Sequence, residues 1–231
     1  MSDVESGQNR EILDLLAGIS DPLAQALGKG CEVVVHDLTN LENSVYAIAG
    51  GVTGRSVGAP PTDLLLRHVV DGAAEHAIGY RTELPGGRSG RSSTIIIRNP
   101  RTDEAVAALC LNIDITNLEQ AQGLLRSLLD TGTDGASSEP HAEARPPREA
   151  FPHTVNELTT RLVTEVIEAA GVPVHLMKKA HKVEVVAELD RRGVFQVKEA
   201  VEEVANSLQV TRFTIYNYLN ELHARSQEGL S

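Results

Sequence analysis

The chain has 231 residues, 41% apolar and only 3% aromatic with no Trp, and a formal net charge of −11 from 21 Lys+Arg against 32 Asp+Glu. One or two domains with buried cores fit this size. So few rings exclude a base-stacking platform for single strands, and so acidic an average argues against a nucleic-acid partner. The two cysteines, Cys31 and Cys110, exclude a disulfide framework and a four-cysteine zinc site. Both lie in apolar runs and read as small buried hydrophobes.

The N-terminus, MSDVESGQNRE, has neither the basic nor the apolar region of a signal peptide. No apolar run approaches the ~18 residues of a membrane span, so a soluble, cytoplasmic protein with no membrane partner is expected. Residues 9–28 place Ile12, Leu15, Leu16, Ile19, Leu23 and Leu27 on one helical stripe, which Pro22 either interrupts or restarts. Strands are predicted at 31–38, 44–50, 79–84, 92–99 and 105–115 from short β-branched or alternating runs bounded by turn residues. A helix over 62–76, capped by Thr62, falls after the second strand. Another follows the last strand over 118–129, with Thr116 and Glu119 spaced as a capping box. The pattern predicts an α+β fold, one antiparallel sheet with helices flanking it.

Catalytic motifs are missing from this part: there is no GxSxG, HExxH, Walker A or GxGxxG. His68 and His76 are eight apart, a spacing that could place both on one helical face as metal or haem ligands, but surface or capping roles fit them as well. Asp114, beside Thr116, reads as a helix-start residue rather than a general base. No catalytic residue, no metal ligand and no cofactor is assigned, and the protein is not expected to be an enzyme.

Residues 131–153, TGTDGASSEPHAEARPPREAFPH, have linker composition. They divide a first domain, 1–130, from a helical second domain, 154–231. The charge divides with them. From Gly171 to Ser231 eight basic residues balance eight acidic ones, so the whole excess lies in 1–170. The helix over 154–170 carries Val155, Leu158, Leu162, Val166 and Ala169 on one face, a stripe that could pair two chains. Lys178–Arg191 forms the next helix, stopped by Gly193.

Over 197–222 two short apolar-striped helices are separated by a few residues, which is helix-turn-helix spacing. Val197, Ala200, Val201, Val204 and Ala205 mark the first; Ile215, Tyr218, Leu219 and Leu222 face inward from the second, which Thr211 caps. In such a pair the second helix leads into the major groove with its N-terminal end. That end carries Thr211, Arg212, Thr214 and Asn217. Arg pairs bidentately with guanine and Asn with adenine, and Thr211 suits a phosphate. Lys198 is placed for a second phosphate contact. Phe213 and Tyr216 fit either thymine methyls or the protein's own packing.

These residues carry a resemblance. Leu189-Asp190, Gly193, Phe195, Lys198, Ala200, Val201, Ala205, Val210-Thr211-Arg212 and Thr214-Ile215-Tyr216 resemble the DNA-binding half of YheO-like regulators. VVVHDL, GRSVGAPPTDLLL, YRTELPGGRSGRSSTIIIRN and ALCLNID resemble that family's PAS-like domain. The resemblance implies a PAS-like sensor joined to a helix-turn-helix. It implies a transcription factor, often a repressor, acting on a double-stranded DNA operator, and in some members tied to amino-acid catabolism. The effector expected is an unidentified small molecule, amino-acid-related in such members, and a homodimer is expected because one helix-turn-helix buries little surface. Sites implied are Lys198, Thr211, Arg212, Thr214, Tyr216 and Asn217 for DNA. His36, Thr94, Cys110 and Asn112, polar groups among apolar strand residues, are implied for a ligand. One departure stands out: Gln209 occupies the turn position that is usually Gly. A small-molecule-binding or enzymatic α+β domain with a helical oligomerisation tail remains the alternative.

Overall fold

Twenty-five residues, Asp3–Leu27, form helix α1, and it continues through Pro22. Proline removes one hydrogen bond inside a helix, here toward exposed Gly18. Leu13 and Leu16 before the proline and Ala24 after it are all buried on the sheet, which holds the two halves in line. The computed structural model describes residues 3–70, 75–129, 149, 151–197 and 200–228. Two compact units are present, one of Met1–Thr39, Val45–Val57 and Glu75–Phe151, the other of Asn40–Ser44, Gly58–Ala74 and Pro152–Ser231.

The first unit is built on strands β1 (Cys31–Asp37), β2 (Val45–Ala49), β3 (Ala77–Leu84), β4 (Arg88–Arg98) and β5 (Ala105–Asp114). They form one antiparallel sheet in the order β2-β1-β5-β4-β3. Period-2 alternation sorts their side chains. Val33, Val35, Ala107 and Leu109 lie under α1. Their strand neighbours Glu32, His36, Ser92, Thr94, Cys110 and Asn112 lie on the opposite face, and all six are buried. Asn99 donates to Asn9 Oδ1 at 2.7 Å, a buried amide pair that ties the end of β4 to α1.

Helix α3 (Thr116–Leu129) follows β5. The expected capping box does not form. Thr116 Oγ1 accepts from the Ser89 amide at 3.0 Å instead, and Glu119 pairs with Arg81. Asp114 Oδ1 accepts from the Thr116 amide at 3.0 Å, an Asx turn that leads into the helix. Ser89 of β4 and Arg81 of β3 outcompete the local motif for the two side chains.

The second unit is helical. Helix α2 (Asp63–Val70), although its sequence lies within 1–130, packs Leu66 into this unit's core. Helices α4 (Val155–Ala169), α5 (Lys179–Arg191), α6 (Ala200–Ser207) and α7 (Arg212–Glu228) supply the rest. Leu158, Leu162 and Val166 of α4 are buried against Val186, Val204 and Ile215 in the same cluster. The stripe expected to pair two chains is therefore consumed within one chain. Periodicity identifies an apolar face but not what covers it. Among the described residues no helix is long and apolar enough to cross a membrane.

Candidate functional site

The turn between α6 and α7 is a Schellman motif. The Val210 amide donates to Ala205 O at 2.9 Å and the Gln209 amide to Asn206 O at 3.1 Å, the 6→1 and 5→2 pair that closes a helix. The motif needs a left-handed residue, and Gln209 has φ 54°. Lys182 of α5 donates from Nζ to Leu208 O at 2.8 Å, which satisfies the last carbonyl of α6. A left-handed non-glycine residue costs about 1 kcal/mol. Gln209→Gly is therefore expected to stabilise the second unit by somewhat under that amount, since Gly also loosens the unfolded chain. Native-state hydrogen exchange of the Ile215 and Leu219 amides, with Gln209→Ala as the strained control, measures it.

Thr211 starts α7, its Oγ1 accepting from the Thr214 amide at 3.2 Å. Ile215, Tyr218 and Leu219 turn into the core. The opposite face presents Arg212, Phe213, Tyr216, Asn217 and Asn220 to solvent. Phe213 is 73% exposed and Tyr216 54%, so both rings present much of their surface to solvent. Thr214 is half-buried beside this surface, its hydroxyl 2.9 Å from that of Thr211. Arg212 reaches across to Glu202 of α6 at 3.5 Å, an exposed pair of the kind that contributes little to stability and exchanges readily for another anion. Lys198 lies outside the described residues. Two other lysines of this region are engaged within the unit, Lys182 as above and Lys179 with Glu221 at 3.0 Å. Asn220 extends the surface beyond the residues picked from sequence; its i+4 offset from Tyr216 carries the signal.

On the sheet of the first unit, His36, Thr94, Cys110 and Asn112 share the face away from α1. Five residues not anticipated from sequence complete it. Glu32 anchors the loop after β2: its Oε2 accepts from the Val52 and Thr53 amides, both at 2.9 Å, and its Oε1 from Thr53 Oγ1 at 2.7 Å and Asn112 Nδ2 at 3.1 Å. Ser92 Oγ donates to Asn112 Oδ1 at 2.8 Å, extending the chain across the sheet. The loop so held carries Arg55, 7% exposed, whose amide donates to Thr53 Oγ1 at 3.4 Å. Tyr80 of β3 lies within 3.1 Å of Thr94 Oγ1 and donates to Glu149 Oε1 at 3.4 Å. Cys110 Sγ is 3.6 Å from Thr94 Oγ1. A strand Glu at i−4 from His36 was the visible signal for Glu32; Arg55, Tyr80 and Glu149 come from a loop, the sheet edge and the segment before Phe151.

The electrostatics of this face follow from burial. It pushes the Cys110 thiol up to about 12, with the nearby carboxylates of Glu149 and Glu32 adding to the shift. A protonated, buried thiol is no nucleophile. Burial, with the Arg55 charge, holds His36 well below its ordinary range and therefore neutral. Burial and then the Glu149 charge raise the Tyr80 phenol, which keeps its proton as a donor. The face thus gathers one buried guanidinium, the two carboxylates of Glu32 and Glu149, and the uncharged His36, Tyr80 and Cys110. His76 is not on a helix with His68: its Nδ1 accepts from the Ile96 amide at 3.1 Å just before β3, while the His68 side chain lies outside the described residues. Among the described residues no three His, Cys, Asp or Glu side chains could hold a metal ion together.

Comparison with known proteins agrees with both halves. Residues 7–130 match the YheO-like PAS domain and residues 158–220 match an HTH domain. An uncharacterized protein of Haemophilus influenzae is 29% identical over 93% of each chain. YheO of Escherichia coli is 29% identical over 95% of this chain and 88% of its own. The transcriptional regulator DauR of Pseudomonas aeruginosa is 28% identical over 91% of this chain and 94% of its own. With more than half its length matched by the first domain alone and the rest of the described core by the second, the chain belongs to the YheO-like family, a PAS domain followed by a helix-turn-helix.

Proposed function

We propose that the protein is a ligand-responsive transcriptional repressor that works in the cytoplasm as a homodimer on a double-stranded operator. The observation that carries the reading is the solvent face of α7, where Arg212, Tyr216 and Asn217 stand exposed above a closed Schellman turn. Such a helix enters the major groove, and two copies related by a two-fold axis read two half-sites. DauR, a relative over nearly the whole chain, is named a transcriptional regulator. Arg212 supplies the guanine contact and Asn217 the adenine contact, while Thr211 and Lys198 meet phosphates. The effector binds the buried polar face around His36, Thr94, Cys110 and Asn112, and its occupancy respaces the recognition helices. Because the apolar face of α4 is covered within the chain, the dimer uses another surface.

The test is a salt titration of binding to promoter DNA beside the protein's own gene. Affinity is expected to fall steeply with salt. Arg212→Ala is expected to weaken operator binding by about 1–3 kcal/mol and relax specificity at one base position. DNA binding that is absent, or equal for the variant at every sequence, overturns the reading.

A further inference from the structure

We propose that the polar face of the first unit's sheet is a binding site for a small carboxylate, and that Glu149 of the chain itself is the resident occupant which such a ligand displaces. The inference rests on the ligand-responsive reading above and names the chemistry of the ligand. Among the described residues two buried carboxylates lie on this face, and they are held differently. Glu32 is built into the sheet by four hydrogen bonds from Val52, Thr53 and Asn112. Glu149 arrives from outside the sheet, 69 residues along the chain from the Tyr80 hydroxyl that it accepts from. It is nevertheless only 8% exposed. A carboxylate desolvated to that degree requires compensating charge or donors. Arg55, equally buried, provides the positive charge, and Glu149 is among the groups that act on it. The Thr82 hydroxyl, two residues from Tyr80 on the same face of β3, is buried without a hydrogen-bond partner among the described residues. It is a donor in reserve for a ligand with a second polar group.

The position of Glu149 in the chain gives the displacement a consequence. Phe151, two residues on, is buried against Val52 and Leu84 of the first unit. The chain passes into the second unit at Pro152, and Thr154 caps α4, its Oγ1 accepting from the Glu157 amide at 3.1 Å. A ligand that takes the Glu149 position frees the segment that leads directly into helix α4 of the second unit. A tethered carboxylate competes at an effective concentration on the order of mM, so a free carboxylate binds the intact chain weakly and the chain without this side chain tightly.

The experiment uses the full chain and glutarate, whose carboxylate and short methylene stem match the Glu side chain, with glutaramide as the uncharged control. Calorimetry is expected to show glutarate binding Glu149→Ala at least tenfold more tightly than the unsubstituted chain, and glutaramide binding neither. Arg55→Met in the Glu149→Ala background is expected to abolish the gain. Glu149→Gln, which keeps the volume and an acceptor for Tyr80 but loses the charge, stands in if the alanine variant misfolds by circular dichroism; it too is expected to bind glutarate more tightly. Equal affinity in substituted and unsubstituted chains, no binding by the substituted ones, or equal binding of glutaramide overturns the proposal. Operator affinity measured in parallel separates the two ideas. Glutarate binding that leaves DNA affinity unchanged sinks the ligand-responsive reading and leaves the site standing; DNA affinity that responds to other compounds but not to glutarate does the reverse.

Discussion

Glu32→Ala is expected to destabilise the first unit by about 4 kcal/mol, an unusually large effect for one substitution. The side chain is fully buried between Cys31 and Val33, and four donors end on it. Each buried donor left without a partner costs about 1–3 kcal/mol. The four costs do not add in full, because the space vacated admits water that recovers part of the bonding. Glu32→Gln preserves the volume but turns one acceptor into a donor facing donors, and about half the loss is expected. Two units make a single unfolding free energy ill-defined, so the measurement is native-state amide hydrogen exchange. The Val52, Thr53 and Cys110 amides should lose protection while those of Ile215 and Leu219 in the second unit keep theirs. A change below about 1 kcal/mol at the first set would show that the loop after β2 is held by something other than Glu32.

The contrast between what sequence reading reached and what it missed has a physical basis. The five strands were legible because alternation is a local property. The one large boundary difference, β4 beginning at Arg88 rather than near 92, falls on the polar run RSGR, where pairing with β3 rather than side-chain character makes the strand. Gly90 shows why that run is not ordinary: a Cβ there would lie 2.7 Å from both Leu84 and Thr82 side chains. The helix-turn-helix was legible from spacing, and the left-handed Gln209 was anticipated at the position where the motif demands it. On the polar face of the sheet, His36, Thr94, Cys110 and Asn112 could be picked out because a polar residue on an apolar strand is locally conspicuous. Arg55 and Glu149 could not, because a loop and a distant segment converge on the sheet only in three dimensions. The α4 stripe shows the same boundary from the other side: its period was plain, and its partner proved to be α5, α6 and α7 of the same chain.

Gly50→Ala is expected to cost about 3 kcal/mol or more, combining backbone strain with a steric clash, while Gly51→Ala next to it stays within about 0.5 kcal/mol. Gly50 has φ +90°, and an added Cβ would fall 2.2 Å from Cys31 O and 2.9 Å from Glu32 Cα. Neither neighbour is a movable side chain tip; both are backbone of β1, the strand that joins β2 to the rest of the sheet. Gly51 has open space within 4 Å, which makes it an internal control for the entropy of replacing glycine. The close approach has a purpose that links this prediction to the first. The chain leaves β2 at Ala49 and must turn tightly over Cys31 and Glu32 for the Val52 and Thr53 amides to reach the Glu32 carboxylate three and four residues later. Gly50 makes the approach possible and Glu32 fixes it, so the two substitutions remove the same structure. The double variant is accordingly expected to lose less than the two single losses combined, with a coupling of about 1–3 kcal/mol. Strict additivity in hydrogen-exchange protection of the Thr53 amide would mean that the turn forms without the carboxylate. The loop bearing Arg55 would then owe its position on the polar face of the sheet to other contacts.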